Sequence, residues 1–338
     1  MKRFAILSVT IGLVVSASFA QQPVPDLSVD GPARSGYWAK WDFRSGSLIF
    51  YRDVDKPSSP AVRLVRADGS STPFYPLRDL PGARAVVVWD VAQTPEGGVV
   101  LSAIAEYAER GTEPMPLKSL LMTYDREARL SKFWDVFPYH HHHIAVDGSG
   151  NVFALGVKES KRNDYPLLIK YSPDGKVSGE FLPANLFPVG DDVVESGSPN
   201  GESEMFINGR ELVIWLAPVQ ELVRLSLEGR LLSRSSWEGP LQLLAMQSGS
   251  KRAKIEHASG LPNGDVVAQV SLWPAKGSKA PLQSAIAIFP RDGSEAYYLK
   301  PPRESHEYGR FLGGDPDGGL IFMERGAGPW QAVLMHRH

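Results

Sequence analysis

A glycine-bearing turn followed at once by an apolar run recurs six times, and this recurrence limits the folds open to the chain more than any other feature. The first three copies are Arg44-Ser45-Gly46-Ser47 before Leu48 to Tyr51, Pro95-Glu96-Gly97-Gly98 before Val99 to Leu101, and Gly148-Ser149-Gly150-Asn151 before Val152 to Leu155. The last three are Asn208-Gly209-Arg210-Glu211 before Leu212 to Trp215, Pro262-Asn263-Gly264-Asp265 before Val266 to Ala268, and Pro316-Asp317-Gly318-Gly319 before Leu320 to Phe322. Gly46, Gly97, Gly150, Gly209, Gly264 and Gly318 serve as markers and stand 51, 53, 59, 55 and 54 residues apart. Such even spacing is the signature of a repeat architecture.

A second motif interleaves with the first: strand, turn, strand. It reads Leu64 to Gly69, Leu121 to Asp125, Leu168 to Gly175, Leu222 to Gly229 and Ile286 to Gly293. Asp-Gly and Asn-Gly suit two-residue hairpin turns, where glycine accepts the positive φ required. Each period therefore carries two hairpins, or four strands. No stretch after residue 20 holds a period of 3.6 over three turns, which excludes long helices. Six units of four strands predict an all-β fold, a six-bladed β-propeller of four-stranded blades. The sixth copy supplies only three strands before the chain stops at His338. The segment Pro25 to Asp30 is the expected fourth strand, an N-terminal strand completing the last blade, with Leu27 and Val29 on one face.

The third copy runs from His143 through Asp147-Gly148-Ser149-Gly150-Asn151 to Ala154, and continues as Leu168-Ile169-Lys170-Tyr171-Ser172-Pro173-Asp174-Gly175-Lys176. This stretch resembles an NHL-type propeller repeat, closely over about 40 residues and loosely in the other copies. The resemblance implies the six-bladed propeller. It implies no single activity, because propellers of this kind include scaffolds, ligand binders, lyases and lactonases.

Lys2 and Arg3, an apolar run from Phe4 to Val15, and Ser18-Phe19-Ala20 form the three parts of a secretory signal peptide. The expected domains are thus a signal peptide over 1–20, cleaved after Ala20, and a single propeller over 21–338. The apolar run falls short of the roughly 20 residues of a membrane span. The expected address is the periplasm or the exterior, with no membrane span and a monomeric protein. The chain has no cysteine, which excludes disulfides, thiolate catalysis and Cys-based metal sites. Its formal net charge of -2 gives no electrostatic reason to expect nucleic acid as a partner.

Counting back seven residues from each marker samples the start of each innermost strand in register. The six positions are Ala39, Asp90, His143, Glu202, His257 and Phe311. Asp90, His143, Glu202 and His257 fall in consecutive copies, and imidazole with carboxylate suits either a divalent metal site or acid–base catalysis. His306, in the segment leading into the sixth copy, joins them as a candidate ligand-binding residue. Of the run His140 to His143, the last member is the expected inward one, since alternate residues of a strand face opposite sides. His336 and His338 read as a frayed tail. Trp38 and Trp89 stand eight residues before their markers, and burial habits place them in packing between blades, with a sugar-stacking platform as the alternative. Lys251-Arg252-Ala253-Lys254 reads as a solvated loop.

No G-x-S-x-G elbow, phosphate-cradling loop or dinucleotide fingerprint is present. The expected function is therefore an exported binding protein that takes a small molecule or a protein partner through loops at one mouth of the channel. A metal-assisted lyase or hydrolase using Asp90, His143, Glu202 and His257 is the first alternative. A structural subunit of a cell-envelope assembly is the second.

Overall fold

The computed structural model describes residues 19–23, 38–42, 44–107, 117–159, 164–187, 203–274, 283–299, 310–314, 318–324 and 331–337. The first strand is β1 (Phe19–Pro23). The first sheet follows with β2 (Trp38–Asp42), β3 (Ser47–Tyr51), β4 (Val62–Val65) and β5 (Ser71–Phe74). The second holds β6 (Ala85–Gln93), β7 (Val99–Glu106), β8 (Leu117–Tyr124) and β9 (Leu130–Asp135). The third holds β10 (Tyr139–Val146), β11 (Val152–Lys158), β12 (Pro166–Tyr171) and β13 (Val177–Pro183). The fourth holds β14 (Glu204–Asn208), β15 (Glu211–Leu216), β16 (Glu221–Ser226) and β17 (Leu231–Ser236). After the helix α1 (Glu238–Gln247) comes the fifth, β18 (Arg252–Gly260), β19 (Val266–Trp273), β20 (Gln283–Phe289) and β21 (Tyr297–Leu299). The sixth holds β22 (Arg310–Gly314), β23 (Leu320–Glu324) and β24 (Gln331–Arg337).

The described strands thus form six four-stranded antiparallel sheets, and the whole is an all-β propeller. The sixth sheet is completed by β1, in the order β1-β24-β23-β22. Closure by an N-terminal strand is the expected arrangement, but a different segment performs it. Gln21 pairs with Met335 and Gln22 with Leu334, whereas Pro25 to Asp30 lies outside the described residues. Pro23 ends the pairing because proline brings no N–H to a ladder. His336 pairs with Ala20 inside the strand, so the expected frayed tail is corrected to a paired one up to Arg337.

A buried apolar layer lies between every adjacent pair of sheets. Leu64 and Phe74 meet Val86 and Met122 between the first and second, and Val100 and Leu121 meet Val152 and Ile169 between the second and third. Phe153 meets Ile214 between the third and fourth, and Trp215 meets Val270 between the fourth and fifth. Val267 and Ile288 meet Phe311 and Phe322 next. The last layer sets Ile321 and Met323 against Leu48 and Phe50 of the first sheet. Strands β2, β6, β10, β14, β18 and β22 touch one another in cyclic order and form the inner wall.

The turns explain why the repeat is written in glycine. All six marker glycines have positive φ, between 61° and 91°. Most of the turns have three residues rather than the expected two. In the second sheet Gly97 N–H donates to Thr94 O and Thr94 N–H to Gly98 O, and Gly150 and Gly264 repeat this with Asp147 and Leu261. This is a type I turn closed by a left-handed residue. Only Asn208 and Glu211, paired across Gly209 and Arg210, follow the two-residue form among these marker turns. In the outer hairpin of the second sheet Ala128 takes the left-handed place at φ 61°, with the same bond to Asp125 O.

The helix α1 was not expected. Its buried Leu241, Leu244 and Ala245 recur at i, i+3 and i+4, covering the fourth and fifth sheets over fewer than three turns.

Since a non-glycine residue in the left-handed region costs about 1 kcal/mol, Ala128→Gly is expected to raise stability by roughly that amount. Equilibrium urea unfolding of the two proteins measures it, and a variant that unfolds at lower urea would contradict the assignment of strain.

Candidate functional site

Of the residues aligned by the repeat, Ala39, Asp90, His143, His257 and Phe311 stand on innermost strands, and neighbouring strands hold the side chains of Asp90 and His257. Asp90 is buried. Its carboxylate accepts from Lys40 Nζ at 2.7 and 2.9 Å, from Val91 N–H at 2.8 Å and from Ile144 N–H at 2.8 Å. Lys40 Nζ also donates to Ile144 O at 3.2 Å. One carboxylate thus ties β2, β6 and β10 together, with both oxygens occupied. His257 Nδ1 lies 2.9 Å from Glu204 Oε1, linking β18 to β14 in the same manner. His143 stands on β10 directly opposite Leu155. Glu202 and His306 lie outside the described residues. Among the described residues no group of three or more His, Asp or Glu is placed to hold a metal ion.

Beyond the Lys40–Asp90 clasp the channel narrows to a cavity of about 70 Å³, lined by Trp41, Asp42, Gln93, Ile207 and Ser259 among others. Small-molecule sites usually offer about 300–1,000 Å³. This cavity taken alone is smaller than that.

The distinctive feature lies midway along the innermost strands. β6, β10, β18 and β22 each carry a β-bulge, leaving Trp89, His142, Glu256 and Leu312 without a cross-strand partner. Trp89, His142 and Glu256 all stand eight residues before their marker glycine. A bulge adds one residue to one strand and re-aims its side chain, which is why bulges collect beside functional sites.

Trp38 and Trp89 are both 37% exposed, so the expected packing between blades is corrected: these rings face solvent. Trp38 stacks on Tyr51 with centroids 5.7 Å apart, and Trp89 lies over His142 at 4.2 Å. Next to His142 on β10, His141 is buried between Tyr139 and Tyr171, its Nε2 2.9 Å from the Tyr171 hydroxyl and its Nδ1 without a hydrogen-bond partner. Loss of solvation, then the neighbouring imidazoles, pulls both His141 and His142 down from the ordinary 6.5 to about 3.

Lys254 corrects another expectation. Arg252 to Lys254 belong to β18 rather than to a loop. Lys254 Nζ is buried with no hydrogen-bond partner. Burial pulls its pKa down, and Glu256 draws it partly back. The alternation pattern alone signals this, because Ala253 and Ile255 are buried on the opposite face.

No family model matches the chain, and no curated protein matches it. Solved structures do. A candidate exported protein from Bacteroides fragilis shares 7% identity over 97% of this chain and 98% of its own, with a TM-score of 0.56. Virginiamycin B lyase from Staphylococcus aureus shares 12% over 94% and 100%, at 0.45. Regucalcin, a calcium-binding protein from Agrobacterium tumefaciens, shares 12% over 95% and 96%, at 0.44. At such identities the likeness is one of fold.

The two neutral imidazoles make stability depend on pH. Below pH 6.5 the unfolded chain binds protons that folded His141 and His142 refuse until about pH 3, so stability falls as pH drops through that window. Between pH 7 and pH 5 the loss is expected to reach about 4 kcal/mol for the two residues together. In His142→Gln that loss should be roughly halved. Denaturant titrations at the two pH values measure both, and an unchanged pH dependence in the variant would refute the assignment.

Proposed function

We propose that this protein is an exported, non-catalytic six-bladed propeller that binds a ligand at the mouth where its innermost strands begin. The observation that carries this reading is the set of bulges at Trp89, His142, Glu256 and Leu312. A ladder interrupted in four innermost strands, at one level in three of them, is costly for a purely structural ring, and each bulge re-aims the side chain it carries. Six sheets separated by six apolar layers support six blades. The NHL likeness of the third repeat agrees with that count.

Export is supported by the signal-peptide pattern of residues 1–20. No helix among the described residues is long and apolar enough to cross a membrane. Cleavage after Ala20 would remove Phe19 and Ala20 from β1 and leave Gln21, Gln22 and Pro23 to pair with Met335, Leu334 and Val333. The mature chain thus keeps a closing strand. Intact-mass analysis of protein recovered from the periplasm is expected to place the N-terminus at Gln21. Uncleaved protein retained in the membrane would overturn the exported reading.

Binding at this mouth is testable with a thermal-shift screen of a metabolite library. Compounds that raise the melting temperature are expected to lose their effect in His142→Ala and Glu256→Ala. They should retain it in Arg44→Ala and Arg210→Ala, placed at marker turns on the opposite side. Loss confined to those two would move the site. Turnover of lactones or glycosides at ordinary enzyme rates would replace the binding reading with a catalytic one.

A further inference from the structure

Trp38 and Trp89 belong to adjacent sheets, and a short chain of contacts brings them to one place. Trp38 sits directly opposite Tyr51 in the first sheet. Two residues beyond Tyr51, Asp53 Oδ1 accepts the N–H of Val88 at 3.1 Å, immediately before Trp89. Val54 and Val86 then exchange both backbone hydrogen bonds at 2.9 Å, fastening the segment to β6. The Asp53 carboxyl group thus stands two residues from the cross-strand partner of Trp38 and bonds to the residue before Trp89. Partial burial raises its pKa, the Val88 N–H lowers it, and the nearby Glu106 charge raises it again.

Trp38 is backed by the stacked ring of Tyr51, Trp89 leans at a tilt against His142, and both indoles are more than a third exposed. Backing of this kind makes a flat, rigid platform. An enclosing cage for an organic cation would need several faces turned toward one point. Flat aromatic faces beside carboxyl groups match the chemistry of a sugar ring, whose axial C–H groups form an apolar face and whose hydroxyls bond at the rim. His142 beneath Trp89 is neutral at physiological pH, so no positive charge opposes the platform from below. A search among charged ligands is less favoured, since Asp53 and Glu106 repel anions.

We infer that the mouth between the first and second sheets is a saccharide-binding site, with Trp38 and Trp89 as stacking platforms and Asp53 as the acceptor for ring hydroxyls. This rests on the binding reading above and narrows it to one ligand class. Two platforms on successive strands suit an oligosaccharide of several units better than a single monosaccharide.

Isothermal titration with cellopentaose, maltopentaose, xylopentaose and penta-N-acetylchitopentaose tests it on the mature protein. At least one is expected to bind with a Kd at or below about 1 mM and to shift the tryptophan emission. Trp89→Ala and Trp38→Ala should each weaken that binding about tenfold or more, and Asp53→Asn should weaken it less. Trp89→Phe, which keeps an aromatic face, is expected to restore most of the affinity and guards against a merely unfolded alanine variant. No binding by any of the four, or binding indifferent to both tryptophans, would overturn the inference. Binding of tetramethylammonium in their place would overturn it too, and would leave the mouth standing as a binding surface for another class. Failure of the broader reading would look different, with thermal-shift compounds blind to every variant at this mouth.

Discussion

The layer in which Ile321 and Met323 meet Ala39, Leu48, Phe50 and Val65 is the contact on which the ring depends, because it joins the two ends of the chain. Every other layer joins sheets that follow one another in sequence. This one spans most of the molecule: Trp41 Nε1 donates to Gly314 O at 3.0 Å across 273 residues. Loop-closure entropy grows only with the logarithm of length, so this contact costs about 1.5 kcal/mol more than one across a single repeat of about 53 residues. Burying one side chain such as Phe50 offsets that, at roughly 1.5–3 kcal/mol. A chain without cysteine can therefore close its ring on apolar packing, with the pairing of β1 and β24 covering what would otherwise be an open sheet edge.

Closure also decides how polar groups along the inner wall are employed. Neighbouring innermost strands meet edge-on, and their free backbone groups need partners that the ladders do not supply. Asp90 serves Val91 and Ile144 and neutralises Lys40. Gln269 Oε1 accepts Phe311 N–H, and Asn208 Nδ2 donates to Leu261 O. Nearer the opposite mouth the buried Arg224 donates to Gly264 O and to Glu211, joining the fourth and fifth sheets. A buried ion pair stripped of one partner is strongly destabilising, on the order of 3–5 kcal/mol. The Asp90 clasp thus holds three innermost strands in register.

This explains which parts of the protein were legible in its sequence. The repeat was readable because a left-handed turn residue is a steric requirement, and glycine meets it at every marker. Ala128 satisfies the same geometry without the same letter, so the outer turn of the second sheet carried a weaker signal. Alignment from the markers found the right level of the inner wall at Asp90 and His257, since strand period and turn length are shared between copies. It could not show direction, because a bulge one residue earlier changes which way each neighbour points. Trp38 and Trp89 were misplaced because burial habit describes an average tryptophan, and both rings here are more than a third exposed, one at a bulge and one in a regular ladder. The helix α1 escaped because two and a half turns carry too few apolar positions to stand out from a strand. The closing strand was assigned to the wrong segment because residues 19–23 also satisfy the pattern of a leader's end, and one stretch of sequence was read for one purpose only.

The same bulges separate the two ends of the channel by physical role. Where the ladders are regular, toward the marker turns, wall side chains reach across to the next strand and the cavity shrinks to about 70 Å³. At Trp89, His142 and Glu256 a side chain is released from cross-strand pairing, and the ladder resumes on either side. The cost of the break is partly recovered by the tilted ring contact of Trp89 with His142, where a neutral imidazole can be desolvated against the indole. Lys254 is the exception. Its ammonium lies buried without a partner one residue from Ile255 and two from Glu256. A cation left in that state is tolerated only where the surrounding ring is stable enough to hold it. The regular ladders on either side of each bulge thus supply the rigidity against which Trp89, His142 and Glu256 are held.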